Sequence, residues 1–576
     1  MNHSFPVYTV QNECHDCYKC IRHCPSKAIR VKDGSASVIP ELCVACGVCV
    51  KVCPAGAKHI RNDVSRAKFL LGGKTKVIAT LAPSWKSAFK NISAGQLIHA
   101  LKQLGFHAVS EVALGAQVVS MKTAEMLERG ANGLYISSAC PAAVDYIKKY
   151  IPEHAKNITA ITSPALAHCK MLKEHFGHDA TLVFFGPCAA KKQEAETHSD
   201  QMALALTFNN LKAWLEKENL DLATMPASGF FEPDAAEEGR LYALEGGMLD
   251  TVRMASKSTN IHYMALSGLH NIERTLAGDI PENCNVKLFI ECLACEGGCI
   301  NGPGMPGHNS RISDIMDIAA SCTELTPRTR EYMLEIDEAV SPEYLRTPVI
   351  TEQQITAELA RVGKYTKADE LNCGGCGYQT CRGFAKALIA GKAEHSMCLS
   401  HLRKLAQNKS NALIKYIPAG VVIADRHMNI IECNIHFARL FDESTELAFA
   451  AKPGLQGVSL SKILDFEDLF EISLASGQDV IRNNFLHNNK IFNISIFTVE
   501  PHQIVGAIIQ DVTVTELHRE QIASKAKAVI RNNVMTVQKI ANYLGEHMAE
   551  TECLLREVAS GFDAPKPKGD QDKHGQ

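Results

Sequence analysis

Residues 285–299 read NVKLFIECLACEGGC, an apolar run followed by two cysteines, Cys295 and Cys299, set around a glycine pair. A short apolar run bounded by glycine predicts a buried strand, and Gly297-Gly298 predicts a tight loop at its carboxyl end. The same theme recurs in NGLYISSACP (132–141) and ATLVFFGPCAAKK (180–192), which deliver Cys140 and Cys188. Upstream, KVIATLAPS (76–84) reads as another strand, stopped by Pro83, and SAGQLIHALKQLGF (93–106) as a helix stopped at Gly105. Residues 75–345 are therefore expected to be α/β, and ligands of such sheets gather at the carboxyl ends of the strands. Four cysteines from three distant segments are expected to converge there.

Working outward, the chain has 576 residues, enough for about three to five domains at roughly 100–200 residues each. Its 46% hydrophobic content excludes extended disorder and a collagen-like fibre. Lys and Arg total 60 against 63 Asp and Glu, a formal charge of −3, so the balance gives no argument for nucleic acid or an anionic membrane. There is no run of about 18 apolar residues, and MNHSFPVYTV lacks a charged region before an apolar stretch. The expectation is a soluble, cytoplasmic protein without a membrane span. Twenty-two cysteines in so long a chain point to metal ligation rather than a disulfide scaffold or a lone nucleophile. Cys169, Cys284, Cys292, Cys322, Cys433 and Cys553 stand outside the clusters and read mostly as small buried hydrophobes.

Near the N-terminus, Cys14, Cys17, Cys20 and Cys24 run as C-x2-C-x2-C-x3-C-P, and Cys43, Cys46, Cys49 and Cys53 repeat the spacing. This is the two-cluster ferredoxin pattern, in which the fourth cysteine of each run ligates the other cluster. One [4Fe-4S] cluster is expected on Cys14, Cys17, Cys20 and Cys53, the other on Cys24, Cys43, Cys46 and Cys49, within residues 1–62. Zinc is the competing reading, but it favours paired C-x2-C arms over triplets. Residues 1–76 carry 12 Lys and Arg against 5 Asp and Glu. That excess either balances anionic cubanes or helps dock an acidic, ferredoxin-like electron carrier.

SSACPAAV (137–144), FFGPCAAKKQE (184–194) and ECLACEGGCINGPG (291–304) resemble the three signature loops of the [FeFe]-hydrogenase catalytic domain, and LAPSW, LKQLGF and Gly246-Gly247 match further landmarks. The resemblance implies that Cys140, Cys188, Cys295 and Cys299 hold an H-cluster, a [4Fe-4S] cubane joined through Cys299 to a [2Fe] subsite bearing CO, CN⁻ and azadithiolate. It also implies that Lys191 hydrogen-bonds one cyanide, an ammonium beside an anion. This chain departs from the family at Ala139, where catalytic members carry a proton-relay cysteine. A methyl group carries no proton, and acid–base groups contribute roughly 10²–10⁴-fold in rate. Leu293 replaces a methionine near the bridging CO, and Ala143 replaces an aromatic residue. Cys169 and Cys292 lie near these loops in sequence and offer an alternative proton path, or simple packing.

Cys373, Cys376, Cys381 and Cys398 (C-x2-C-x4-C, then 16 residues) lie in LNCGGCGYQTCRGFAKALIAGKAEHSMC. That stretch resembles the four-cysteine module of corrinoid iron–sulfur proteins and implies a third [4Fe-4S] cluster within residues 355–410; zinc is again the alternative. The preceding segment, SPEYLRTPVITEQQITAELARVGKY, reads as a mostly helical spacer. Residues 411–514 resemble a PAS domain, with Asn434 entering its first helix, Cys433 in its core and His436 at its surface. Within 515–562, Val529, Val534, Val537, Ile540 and Leu544 recur at helical intervals and form a stripe that needs a partner. A second copy of the chain is the partner expected, and packing back on the PAS sheet the alternative. No ATP-binding glycine box or phosphoacceptor histidine is present, and residues 563–576 read as a polar tail.

The fold expected is thus multidomain, α/β and α+β: ferredoxin-like module, H-domain, four-cysteine module, PAS domain and dimerisation helix. That order resembles sensory [FeFe]-hydrogenases. It implies slow splitting of H₂, electrons passing through three [4Fe-4S] clusters, and a signalling output toward a serine/threonine phosphatase or kinase. A catalytic, ferredoxin-linked hydrogenase and an iron–sulfur scaffold without the diiron site are the alternatives.

Overall fold

The repeated cysteine spacing of the first sixty residues folds as a repeated structure. The computed structural model describes residues 5–278, 285–307, 312–322, 334–345, 348–488, 490–513 and 526–535, and it divides into two units, Met1–His395 and Ser396–Gln576. In the first unit, β1 (Val7–Thr9) pairs antiparallel with β4 (Lys58–Ile60), and β2 (Ile29–Lys32) with β3 (Ser35–Val38). Asp33 and Gly34, at φ 52° and 69°, make the two-residue turn between β2 and β3. Each cysteine run then does the same thing. Asp16 and Ala45 take left-handed φ, a short helix follows (Lys19–His23, Val48–Val52), and Cys24 and Cys53 end it in extended conformation. The prolines behind those cysteines enforce the exit, because the residue before proline is pushed out of the helical region.

Residues 75–345 hold two parallel sheets. The larger has the order β6-β5-β8-β9, built from β5 (Val77–Leu81), β6 (Ala108–Glu111), β8 (Thr181–Gly186) and β9 (Leu204–Thr207). The smaller has the order β10-β11-β7, built from β7 (Gly133–Ile136), β10 (Ile261–Ser267) and β11 (Lys287–Leu293). Every residue of β5, β6 and β9 is buried, as a parallel sheet covered on both faces requires. The segment expected to be a spacer contains the helix Glu352–Arg361, which starts on a Thr351/Gln354 capping box and packs Ile355 and Leu359 against Cys381 and Ala385.

In the second unit, a helix Leu399–Tyr416 runs through the boundary expected at residue 410. Beyond it lies a five-stranded antiparallel sheet ordered β13-β12-β16-β15-β14, from β12 (Gly420–Asp425), β13 (Ile430–Cys433), β14 (Val480–His487), β15 (Lys490–Glu500) and β16 (Ile504–Asp511). Phe437, Phe470 and Phe492 fill the core on one face. Asn434 is buried and caps the helix Ile435–Leu440. Its Oδ1 accepts from the Val421 and Phe437 amides, and its Nδ2 donates to the Ile414 and Ala419 carbonyls. Ile414, Ile417, Val421 and Ile508 form a second cluster, and Val529 and Ile530 of the helical stretch 526–535 pack on it. The described start of the expected dimerisation stripe thus sits on its own sheet. Val537, Ile540, Leu544, Cys284, Cys553 and the tail 563–576 fall outside the described residues. No helix among the described residues is long and apolar enough to cross a membrane.

Candidate metal centre

The strand-end logic places all four cysteines of the α/β region together. Cys140 follows β7 and caps the helix Pro141–Tyr150, Cys188 follows β8 just before the helix Ala190–Thr197, and Cys295 and Cys299 follow β11. The two sheets therefore contribute from either side. Burial pushes the Cys299 thiol up, and Cys140 and Cys188 push it further. Cys295 is raised by burial first, then by Cys188, Cys299 and Cys140. Four thiols that raise one another when ionised need a cationic group among them to exist as thiolates. Backbone amides already favour the charged form at two of them. The Ala294 N–H lies 3.5 Å from Cys140 Sγ, with the Ala142 and Ala143 amides also directed at it. The Ala190 and Lys191 amides serve Cys188 in the same way, against a burial that lifts it to about 11.

Lys191 is buried beside them. Its Nζ donates to Ser163 Oγ at 2.9 Å and to Glu194 Oε2 at 2.5 Å. An ammonium has three donors, so one more acceptor can be served. Sequence reasoning did not single out Ser163 or Glu194, although Glu194 lies at the i+3 position from Lys191 in FFGPCAAKKQE. It also passed over Ser84. That residue follows β5, whose next residue, Ala82, donates its amide to the Phe185 carbonyl, three residues before Cys188. Ser84 Oγ is fully buried and has no partner among the described residues, the kind of orphaned donor that an anionic ligand satisfies. The donor set of four thiols, directed amides, one ammonium and an orphaned hydroxyl fits an H-cluster.

The positions where the sequence departs from the hydrogenase pattern are also fixed. Ala139 precedes Cys140 directly and packs at the edge of the main core. Leu293 is the buried last residue of β11, and Ala143 is fully buried in the first turn after Cys140. Cys169 is buried with Glu194 and Lys191 as its charged neighbours, and Cys292 is buried near Cys140.

In the N-terminal module the eight thiols fall into two groups. Cys20 is raised to about 11 by burial, with further pushes from Cys14, Cys17 and Cys53. Cys49 is raised by burial, then by Cys46, Cys24 and Cys43. The second set adjoins the four-thiol site: Cys188 is among the groups raising Cys46, and Cys46 among those raising Cys295. A cleft of ≈1180 Å³ is lined by Cys24, Cys46 and Cys295. Gly47 faces Pro303 so closely that a Cβ would lie 2.4 Å from Pro303 Cγ, and Lys51 Nζ donates to the Asn301 carbonyl at 2.9 Å.

Cys373 borders a glycine-rich hollow of ≈360 Å³ with Gly374, Gly375 and Gly377, Cys376 belongs to the same loop, and Cys381 opens the helix Cys381–Ile389. The hollow leans on the ferredoxin-like module, where Lys27 Nζ donates to the Gly377 carbonyl at 3.2 Å and the Val31 amide to the Lys392 carbonyl at 3.0 Å. Cys398 is buried in the second unit and caps the helix Leu399–Tyr416. Among the described residues, no three Cys, His, Asp or Glu side chains converge tightly enough to hold a single metal ion. A cube of eight atoms needs its thiolates farther apart than one ion does.

Three family models match the chain. The iron-only hydrogenase large subunit, C-terminal domain, covers residues 75–303, a 4Fe-4S dicluster domain covers 6–54, and an Fe-S cluster family covers 369–400, spanning all four cysteines there. Among curated proteins, iron hydrogenase 1 of Clostridium pasteurianum is 25% identical over 46% of this chain and 56% of its own length. The periplasmic [Fe] hydrogenase large subunit of Nitratidesulfovibrio vulgaris is 25% identical over 51% of this chain and 85% of its own length. The chain spans little more than half of the first curated relatives, 56% and 57%. A solved [FeFe]-hydrogenase from Chlamydomonas reinhardtii is 18% identical, covering 46% of this chain and 89% of that one, with a TM-score of 0.38. By the two family models over residues 75–303 and 6–54, the chain is a hydrogenase-like iron–sulfur protein, with an [FeFe]-hydrogenase large-subunit-like domain behind a 4Fe-4S dicluster module.

Proposed function

We propose that this protein senses H₂ at an H-cluster held by Cys140, Cys188, Cys295 and Cys299, turning it over slowly and reporting through a PAS-type C-terminal unit. When bound, the H-cluster supplies a metal site that polarises and splits H₂ into a proton and a hydride equivalent. The chain's own part is positional. Cys140 and Cys188 are aimed by the helices they precede, and their sulfurs accept backbone N–H bonds. Lys191 and Ser84 would offer donors to the anionic ligands of a diiron subsite, while Ser163 and Glu194 hold Lys191 in place.

The observation that carries the sensory reading is Ala139. It adjoins Cys140, where a proton acceptor is needed, and its side chain has no atom that binds a proton. Electrons leave more easily than protons. Cys46 adjoins Cys188 and Cys295, so the set Cys24, Cys43, Cys46 and Cys49 is the first station, followed by Cys14, Cys17, Cys20 and Cys53. Cys373, Cys376 and Cys381, with Cys398 supplied by the spacing of the sequence, are assigned to a third cluster. The antiparallel order β13-β12-β16-β15-β14, with a buried asparagine opening the first helix, supports a PAS-type unit. A phosphatase or kinase is the class of partner such a unit would address, and a second copy of the chain remains the partner proposed for the C-terminal helix.

Infrared spectroscopy of the maturated protein under H₂ and under argon tests this reading. CO and CN⁻ bands that shift with H₂, together with turnover far below that of a flux hydrogenase, are expected. Bands with ordinary hydrogenase turnover would make it a ferredoxin-linked enzyme. Absence of the bands would make it a plain iron–sulfur scaffold.

A further inference from the structure

Lys58 is 3% exposed, although it lies on a strand of only three residues in a small two-stranded sheet. Its Nζ donates to Thr9 Oγ1 at 2.5 Å, across the β1–β4 pair, and to the Ala36 carbonyl at 2.7 Å on β3. Neither partner is charged, and no carboxylate among the described residues lies within ion-pair distance of it. Burying an ammonium without a counter-charge costs several kcal/mol, so buried lysines are ordinarily paired. The counter-charge must come from elsewhere. Lys58 lies on a strand that packs against the helix Val48–Val52, which carries Cys49 of one set. Its anchor Ala36 also directs its own amide at Cys14 Sγ, 3.5 Å away. The other lysines near these thiols are placed differently. Lys27 is only half-buried, and Lys149, a buried neighbour of Cys43, has the Glu343 carboxylate 3.8 Å away.

We propose that the Lys58 ammonium is a counter-charge shared by both cubanes of the dicluster module, and that it holds both their reduction potentials up. A cubane with four thiolates is anionic when oxidised and gains a further negative charge on reduction, and net charge nearby is one of the terms that set its potential. The step is the gain of one electron by a cubane, with no bond formed or broken. A fixed cation between two cubanes stabilises the reduced form of each, and in a buried position salt screens it little. The inference depends on the dicluster module alone and stands whether or not a diiron subsite is present.

The test is a dithionite titration of the reconstituted full-length chain, followed by electron paramagnetic resonance, with iron content measured in parallel. Lys58→Gln keeps a hydrogen-bond donor and removes the charge; Lys58→Arg keeps the charge. Expected are two midpoint potentials displaced to more negative values in Lys58→Gln, and both at the unmodified value in Lys58→Arg. Loss of iron in Lys58→Gln, with full iron in Lys58→Arg, also supports a charge requirement. Unchanged midpoints at full iron content, or movement of one cluster alone, would overturn the proposal. So would loss of iron in both variants, because packing rather than charge would then be what Lys58 supplies.

Discussion

Ala139 and His168 show how single side chains set what this molecule can do. Replacing Ala139 by cysteine restores a proton-carrying group next to Cys140. Acid–base groups are worth roughly 10²–10⁴-fold in rate, so Ala139→Cys is expected to raise H₂ turnover at least tenfold, measured as H₂-dependent dye reduction by maturated protein. No gain would show that another step limits the rate. His168 makes a prediction about stability instead. It is fully buried, its Nε2 faces Ser110 Oγ at 2.9 Å, its Nδ1 has no partner among the described residues, and burial pulls it down to about 3. The unfolded chain takes up that proton near pH 6.5 while the folded chain refuses it. Stability from a neutral His168 is therefore complete above about pH 6.5 and is lost progressively as pH falls toward 3. His168→Gln should lose less of its melting temperature than the unmodified protein between pH 7.5 and 5. A parallel decline in both would exclude His168 as the cause. At this scale the sequence was informative wherever chemistry demanded a residue type, as at the sixteen clustered cysteines and Lys191. It was silent at Ser84, Ser163 and Lys58, ordinary residues whose importance comes only from what surrounds them.

Among the elements, the strand-to-cysteine theme was legible because apolar runs ending in glycine or proline leave few other conformations. The apolar runs predicted strands of an α/β region, and the structure adds that they pair in parallel. Division into two sheets was not legible, since strand order is settled by packing between segments far apart in sequence. The helix Glu352–Arg361 was expected as a spacer; its Ile355 and Leu359 make it part of the four-cysteine module's small core instead. Gly47 yields the prediction at this scale. It opens the helix Val48–Val52 at φ 74° and lies against Pro303 of the loop behind Cys299. Gly47→Ala combines a left-handed alanine with a clash, a cost of about 1–3 kcal/mol. The urea midpoint should fall accordingly, with electron transfer from H₂ to the cubanes slowed in stopped-flow absorbance. A variant with unchanged midpoint and unchanged rate would mean that the two loops separate freely.

Over the whole molecule, the chain divides at Ser396 into units that each have a core. Asn434 gives a handle on the second alone. Its side chain satisfies two amides and two carbonyls that would otherwise be buried unpaired, so Asn434→Ala should cost that unit about 2–4 kcal/mol. Calorimetry should show one transition moved down while bleaching of the iron–sulfur absorbance keeps its temperature. Bleaching that moves equally would mean the two units unfold as one. The C-terminal stripe was the least legible feature, because a helical apolar period says that a partner is needed without saying which. Val529 and Ile530 take it from their own sheet, and the rest of the stripe lies outside the described residues.

Within the first unit, Cys46 stands beside Cys188 and Cys295, and Lys51 is tied to Asn301. The N-terminal module is therefore one wall of the cleft that Cys24, Cys46 and Cys295 line, as well as the proposed path for electrons. Excising residues 1–62 to obtain a minimal gas-binding fragment would open that cleft to solvent and to dioxygen. Such a fragment would be expected to decay in air faster than the intact protein, for a reason unrelated to its missing electron path.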